Sequence, residues 1–321
     1  MLVTESHPNS SQHYSHALVQ ILQFLNNNAY HFTTITPVSH QRLLDCRRGE
    51  WAKNLTDVFG WNLPFQADIL PAYFFSLLHD QQLIQPFKKG WLSQIRVSSL
   101  NDLLFIHSSF PTTQVDSVFF GPDTYRFIYA LNQYLANQPK INRAVEICCG
   151  ASPAALTIAK NYKNAEILAI DINSQALFFS QANATAADLS NVKPIQSNLF
   201  DQVEGQFDLI TANPPYLMDV SQRAYRHGGD LMGAELSLKI FKSSLPRLTV
   251  HGALLLYTGV TIIDSEDHFR DAIAEYMKGE PSFQWEYREI DPDIFGEELE
   301  QRGYEHVERI AAVVVIIKRL K

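Results

Sequence analysis

The chain has little cysteine, no long apolar run and no excess of positive charge. Only 3 cysteines occur in 321 residues, and two of them, Cys148 and Cys149, are adjacent. That number and spacing fit neither a disulfide framework nor a spaced zinc motif, so a reduced, cytoplasmic protein is expected. No apolar stretch reaches the ~18 residues that span a bilayer, so no membrane segment is expected. Residues Met1 to Gln12 are polar and lack the basic and apolar regions of a signal peptide. The formal net charge is -8, whereas a duplex-DNA binder usually carries a basic surface. No internal repeat or low-complexity segment is present. What remains is a globular composition, with 46% hydrophobic and 19% charged residues.

Two regions differ in pattern. In residues 1–112, Leu18, Ile21, Leu22 and Leu25 recur at helical spacing. Pro37 opens a second helical stretch through Leu44, and Ile69 to Leu78 reads as helix with Pro71 in its first turn. Leu83–Phe87, Gln94–Ser98 and Asp102–His107 read as short strands. Helices followed by a small hairpin suggest a winged-helix-like module. Trp51, Trp61, Phe65, Tyr73, Phe74 and Phe75 are expected mainly in its core, with some of them able to close over a substrate.

Residues 113–321 alternate strand and helix. Asp123 is expected to cap a helix over Thr124–Leu135. Strands follow at Ala144–Cys148, Glu166–Asp171, Val192–Gln196, Phe207–Ala212 and Ala253–Thr258, and an antiparallel pair at Phe283–Ile290 and Ile310–Ile317 closes the chain. Such alternation builds an α/β doubly wound, mostly parallel sheet whose ligands sit at the carboxyl ends of the strands.

The residues after each strand therefore hold the interest. The first turn, Glu146-Ile147-Cys148-Cys149-Gly150-Ala151-Ser152-Pro153, is built of small residues that let a ligand approach the backbone, although it has one glycine only. Cys148-Cys149 fits strand-end packing better than a redox pair. Asp171 ends the second strand, where a carboxylate can bind both ribose hydroxyls or cap the following helix. Asn198 follows the third strand and could meet an adenine edge. The fourth ends in Asn213-Pro214-Pro215-Tyr216. Two prolines hold this turn rigid, so that the Asn213 side chain and the Pro214 carbonyl offer two acceptors to a planar NH2 group. Tyr216 offers a flat face for stacking.

Together these elements resemble the class I S-adenosylmethionine-dependent methyltransferases, with Asn-Pro-Pro-Tyr similar to the motif of their amino-methylating branch. The likeness covers about Ser117 to Lys321 and implies a Rossmann-like seven-stranded sheet with an antiparallel last strand. Gly121-Pro122-Asp123-Thr124 and Gly228-Gly229-Asp230-Leu231-Met232-Gly233-Ala234-Glu235-Leu236 resemble segments of the release-factor glutamine methyltransferases. Asp293–Glu298 and Tyr304–Ala312 are closer to a group of bacterial methyltransferases with a winged-helix-like N-terminal domain. The resemblance implies that Glu146, Cys148, Gly150, Ser152, Asp171, Asn198, Leu199 and Asn213 hold S-adenosyl-L-methionine. It implies that Asn213, Pro214, Pro215 and Tyr216 serve catalysis, with no metal. The family usually has glycine at 148 and 152, so a narrower pocket is expected. Tyr225, Arg226 and His227, just beyond the motif, are candidates for the substrate side. The acceptor is expected to be a protein glutamine or a small molecule. A nucleobase ranks below both, because no basic stripe with interleaved aromatics is present, and a non-catalytic cofactor-binding protein is the remaining alternative. The N-terminal domain is expected to recognise the acceptor.

Overall fold

The computed structural model describes residues 8–218, 226–229 and 231–321. The N-terminal part comprises helices α1 (Pro8–Asn27), α2 (Pro37–Cys46), α3 (Leu55–Phe59) and α4 (Ala72–Asp80). Two hairpins follow, β1 (Ile84–Phe87) with β2 (Gly90–Ser93), and β3 (Ile95–Leu100) with β4 (Leu103–Ser108). Two departures from expectation have local causes. The helix expected across Pro71 begins only at Ala72, because Leu70 precedes a proline and is extended, with φ -113° and ψ 146°. Strand β2 was not expected, since Lys88-Lys89-Gly90 leading into it gives no strand pattern. Gly90 is needed there, since a Cβ would collide with the Trp51 ring and the Phe65 carbonyl.

The larger part begins with α5 (Pro122–Leu135), whose N-cap is Gly121. Asp123 is therefore not the cap expected from the sequence. It is buried in the first turn. The sheet contains β5 (Arg143–Ile147), β6 (Glu166–Asp171), β7 (Val192–Gln196), β8 (Phe207–Ala212), β9 (Leu248–Ile262), β10 (Phe283–Asp291) and β11 (Arg309–Arg319) in the order β10-β11-β9-β8-β5-β6-β7. Only β11 runs against the others, antiparallel to both β9 and β10. This is the doubly wound seven-stranded arrangement anticipated from the alternation, with an antiparallel last strand. Pro194 lies in β7 at the sheet edge, where a missing donor is tolerated. Helices α6 (Pro153–Asn161) and α7 (Ser174–Ala186) follow β5 and β6, and α8 (Glu235–Ser244) and α9 (His268–Met277) flank β9. Among the described residues, no helix is long and apolar enough to cross a membrane.

No gap in packing marks residue 112. One buried apolar cluster runs from Leu18, Phe59 and Phe105 into Ala154, Ile158 and Phe179. Helix α7 lies between the sheet and α1, which explains why Ala176, Ser180, Ala182 and Ala184 are all buried along it. The Asn183 side chain rivets the two parts. Its Oδ1 accepts the Ile106 amide at 2.9 Å and its Nδ2 donates to the Ala151 carbonyl at 3.1 Å.

Candidate active site

Strands β5, β6, β7 and β8 end flush. Ile147 lies beside Ile170 and Ala212, and Asp171 beside Gln196. The crevice between β5 and β8 is where the strand order reverses, the place a doubly wound sheet offers a ligand. A cavity of about 480 Å³ opens there. It brings together Glu146, Cys148, Gly150, Asp171, Asn198, Leu199, Asn213, Pro214, Pro215, Tyr216 and Arg226. Its remaining wall includes Pro37, Gln41, Phe110 and Thr112 from the N-terminal part.

The turn after β5 takes a left-handed backbone at every second residue, with φ of 54° at Cys148, 51° at Gly150 and 62° at Ser152. That conformation strains any residue with a Cβ, so glycine at 148 and 152 would be favoured by the backbone as much as by space. Cys148 faces the cavity, and Cys149 is buried. Ser152 is the exception among the expected cofactor residues. Its left-handed turn aims the hydroxyl away from the cavity at Ser180 of α7, and it is fully buried. The room above Gly150 is open, the nearest atom to a hypothetical Cβ being Val118 Cγ1 at 3.7 Å.

Two carboxylates face this space from fixed positions. Asp171 takes the Gly150 amide on Oδ2 and the Asn173 amide on Oδ1, each at 2.9 Å. Each oxygen keeps a second lone pair for a ligand. Burial raises its carboxyl above the ordinary range, against the backbone hydrogen bonds from Asn173, Gly150 and Ile172. Glu146 is 2% exposed and accepts the Ala154 and Ala155 amides at 3.2 and 2.7 Å, closing the N-terminus of α6. Burial pushes its carboxyl up to about 8, opposed by those two amides. A cation entering the cavity would favour its ionised form again. Ile172 and Leu199 add apolar surface nearby. A ribose diol, a flat base and a cationic end find partners in this set, and the volume falls in the ligand-sized range of ~300–1,000 Å³. The donor set thus fits S-adenosyl-L-methionine.

On the other side, Asn213 is half-buried and lines the cavity, and no hydrogen bond from another described residue reaches its side chain. The loop carrying it is held from three directions. Gly228 and Gly233 pack on the Tyr216 backbone, where a Cβ on either would come within 2.7 Å of a main-chain atom of Tyr216. Leu217 pairs through its backbone with Arg226 and Gly228 at 3.0 and 2.9 Å. From the excursion between β10 and β11, Tyr304 Oη accepts the Met218 amide at 2.8 Å, and Phe295 meets Tyr216 edge to face at 6.1 Å. This excursion, residues 292–308, is singled out in the sequence only by the resemblance of Asp293–Glu298 and Tyr304–Ala312, with no role for any of its residues, yet Phe295 reaches the cavity.

Tyr216 lines the cavity but is only 8% exposed, with its ring against Gly259. Most of the stacking face expected from the sequence is thus covered by β9. Arg226 lines the cavity paired with Glu298. His227 does not line it, because a backbone bridge to Leu217 holds it beside the loop. Tyr225 and Asp230 lie outside the described residues, as does His7. None of the six N-terminal aromatics lines the cavity, and Tyr73 is 68% exposed. The basic pair Arg47-Arg48 is committed to nearby carboxylates, Arg47 to Glu50 and Asp57 and Arg48 to Asp45.

Residues 129–257 match the family described as Methyltransferase small domain. A ribosomal protein uL3 glutamine methyltransferase of Neisseria meningitidis serogroup A is 27% identical over 175 residues, covering 50% of this chain and 55% of that protein. The protein of the same name from Francisella tularensis is 28% identical over 131 residues, covering 37% and 42%. The chain spans about half the length of the curated relatives it matches. The crystal structure of an M. jannaschii tRNA m1G37 methyltransferase aligns with TM-score 0.48 and 16% identity, over 71% of this chain and 57% of that one.

Proposed function

We propose that this chain, which carries a class I methyltransferase domain related to the ribosomal-protein glutamine methyltransferases, transfers methyl from S-adenosyl-L-methionine to the side-chain amide nitrogen of a protein glutamine. One observation carries the reading. The amide of Asn213, which no hydrogen bond from another described residue reaches, shares a cavity with the two carboxylates, Asp171 and Glu146, that suit the cofactor. The relatives' glutamine specificity favours a protein acceptor over a small molecule or a nucleobase.

S-adenosyl-L-methionine, when bound, supplies an electrophilic methyl on a sulfonium that carries its own leaving group. The protein's task is to hold and polarise the acceptor. An amide nitrogen is a weak nucleophile because its lone pair is delocalised. Asn213 Oδ1 and the Pro214 carbonyl accept its two N–H bonds and turn the lone pair toward the methyl. The same two dipoles stabilise the positive charge that grows on nitrogen, as preorganised groups in a water-poor site do. Pro214 and Pro215 keep them aimed, and alignment supplies part of the rate. Glu146 and Asp171 would hold the cofactor's cationic and ribose ends. The proton leaves after transfer, so no strong base is required at the motif.

Residues 1–112 supply acceptor recognition in this proposal, because Pro37, Val38, Gln41 and Phe110 to Thr112 border the cavity. The reaction is placed in the cytoplasm, in keeping with three free cysteines. Transfer of radiolabelled methyl into fractionated lysate tests the acceptor class. The expected result is label in the protein fraction, recovered as methylated glutamine. Label confined to RNA and lost on ribonuclease treatment, or found only in small molecules, would overturn the assignment.

A further inference from the structure

The loop that joins the two parts of the chain, residues 109–117, is also a wall of the cavity. Its ends close on each other. The Ser108 amide donates to the Val118 carbonyl at 3.1 Å, and the Val118 amide donates to Ser108 Oγ at 2.8 Å. A loop closed in this way is a compact unit of its own. Phe110, Pro111, Thr112 and Ser117 of this loop line the cavity. Its neck stands over the turn after β5, with Val118 Cγ1 3.7 Å from where a Cβ on Gly150 would sit. Nearer its end, the Asp116 carbonyl accepts Asn173 Nδ2 at 2.7 Å. Gly150 and Asn173 are the residues whose amides hold the Asp171 carboxylate. The loop is therefore anchored on both sides of Asp171. Phe110 is two residues from the neck, so the chain keeps it within about 7 Å of that anchor.

The N-terminal part fixes Phe110 in turn. The Phe110 amide donates to Asn62 Oδ1 at 2.7 Å, and Asn62 Nδ2 donates to the Ser93 carbonyl at 2.9 Å. The Phe110 ring stacks on His40, with centroids 4.3 Å apart and planes 29° apart. His40 is fully buried. Arg96 Nη2 meets its Nδ1 at 3.4 Å. A guanidinium can only donate, so Nδ1 accepts and Nε2–H donates to the Trp61 carbonyl at 3.0 Å. Burial, with the Arg96 charge beside it, lowers His40 to about 4, so the ring is neutral near pH 7. Both ring nitrogens are committed, and the plane against which Phe110 stacks is set.

We propose that the 109–117 loop covers the nucleoside end of bound S-adenosyl-L-methionine, with Phe110 as a cofactor-binding residue that the N-terminal part holds through His40 and Asn62. This rests on the S-adenosyl-L-methionine reading of the cavity, and it gives residues 1–112 a task beside acceptor recognition. Asp171 offers hydrogen bonds to the ribose, and the loop adds an apolar wall that keeps water from them. Release of the cofactor then requires the loop to yield.

Three measurements test the proposal. In the wild-type protein, saturating S-adenosylhomocysteine should slow amide hydrogen exchange at residues 112–117 several-fold. Phe110→Ala should weaken S-adenosylhomocysteine about tenfold, mostly through faster dissociation. Adenosine should lose the same factor, because the missing contact is with the nucleoside. Asn173→Ser keeps a capping oxygen for α7 and deletes the donor to Asp116, so S-adenosylhomocysteine should dissociate about two- to fivefold faster. Exchange at 112–117 indifferent to S-adenosylhomocysteine would overturn the proposal. So would Phe110→Ala affinity within twofold of wild type, or a loss that adenosine does not share. If Phe110→Ala does not fold, wild-type exchange and the dissociation rate from Asn173→Ser decide it, and wild-type dissociation there counts against the cover. A wild-type protein that binds neither probe defeats the cofactor reading itself, whereas a wild type that binds both, beside an unaltered Phe110→Ala, defeats only the cover.

Discussion

Gly259→Ala probes the wall behind the motif. Gly259 lies inside β9, and its backbone is not in the left-handed region that would exclude a side chain. On local grounds alanine should therefore help, by about 0.5–1 kcal/mol from reduced unfolded-state entropy. The third dimension reverses the sign. A Cβ at 259 would sit 3.2 Å from Tyr216 Cγ and closer still to Cδ2 and Cε2, where carbon atoms prefer about 3.5–4.0 Å. Relief requires the ring to move by about 1 Å, and overpacking of that kind costs about 1–3 kcal/mol. The ring has little slack, since Phe295 borders it edge to face and it is only 8% exposed. The expected net result is a loss of about 1–2 kcal/mol in urea unfolding. Methyl transfer should fall by about 100-fold, with S-adenosylhomocysteine binding unchanged. Gly279→Ala is the control, because its Cβ would meet nothing closer than the Tyr276 carbonyl at 3.6 Å. A Gly259→Ala protein as stable and as active as Gly279→Ala would refute the reasoning.

Two further outcomes follow from the turn after β5. Burial lifts the Glu146 carboxyl from the ordinary 4.5 to about 8, so between those values the native state holds a proton that the unfolded chain releases. Stability therefore falls as pH rises through this window, and Glu146→Gln removes the dependence. In urea unfolding the variant should gain about 3 kcal/mol relative to wild type between pH 5.5 and 8, and a difference flat with pH contradicts the account. Cys148→Gly relieves a left-handed residue with φ 54°, worth about 1–2 kcal/mol less the contacts of a half-buried thiol. A thermal midpoint about 2 °C higher is expected, and a lower one would show that the thiol's packing outweighs the strain.

The placement of the candidate residues was legible in the sequence wherever they lie at the carboxyl end of a strand. Glu146 lies near the end of β5, Asp171 ends β6 and Asn213 follows β8, and the flush register of these strands gathers all three at one cavity. Residues whose surroundings come from distant segments were not legible. Asp123 has the local pattern of a helix cap, and only the arrival of Tyr257, 134 residues away, makes it a buried hub. Ser152 sits in the right loop, but its backbone turns its hydroxyl toward α7. The 292–308 excursion carries a family resemblance but no assigned role, and its contacts with the motif loop come from where the antiparallel β11 places it. The stacking surface expected of Tyr216 is taken by Gly259, a contact that no spacing announces.

The central claim is that Asn213 polarises the acceptor nitrogen within a cavity whose other end holds the cofactor. The direct measurement compares wild type and Asn213→Ala in two assays on the same preparations, S-adenosylhomocysteine binding by calorimetry and single-turnover transfer of labelled methyl into the lysate protein fraction. The account predicts dissociation constants equal within about twofold and a transfer rate lower by about 10²–10³, the cost of removing one preorganised acceptor. Transfer at the wild-type rate by Asn213→Ala would contradict it.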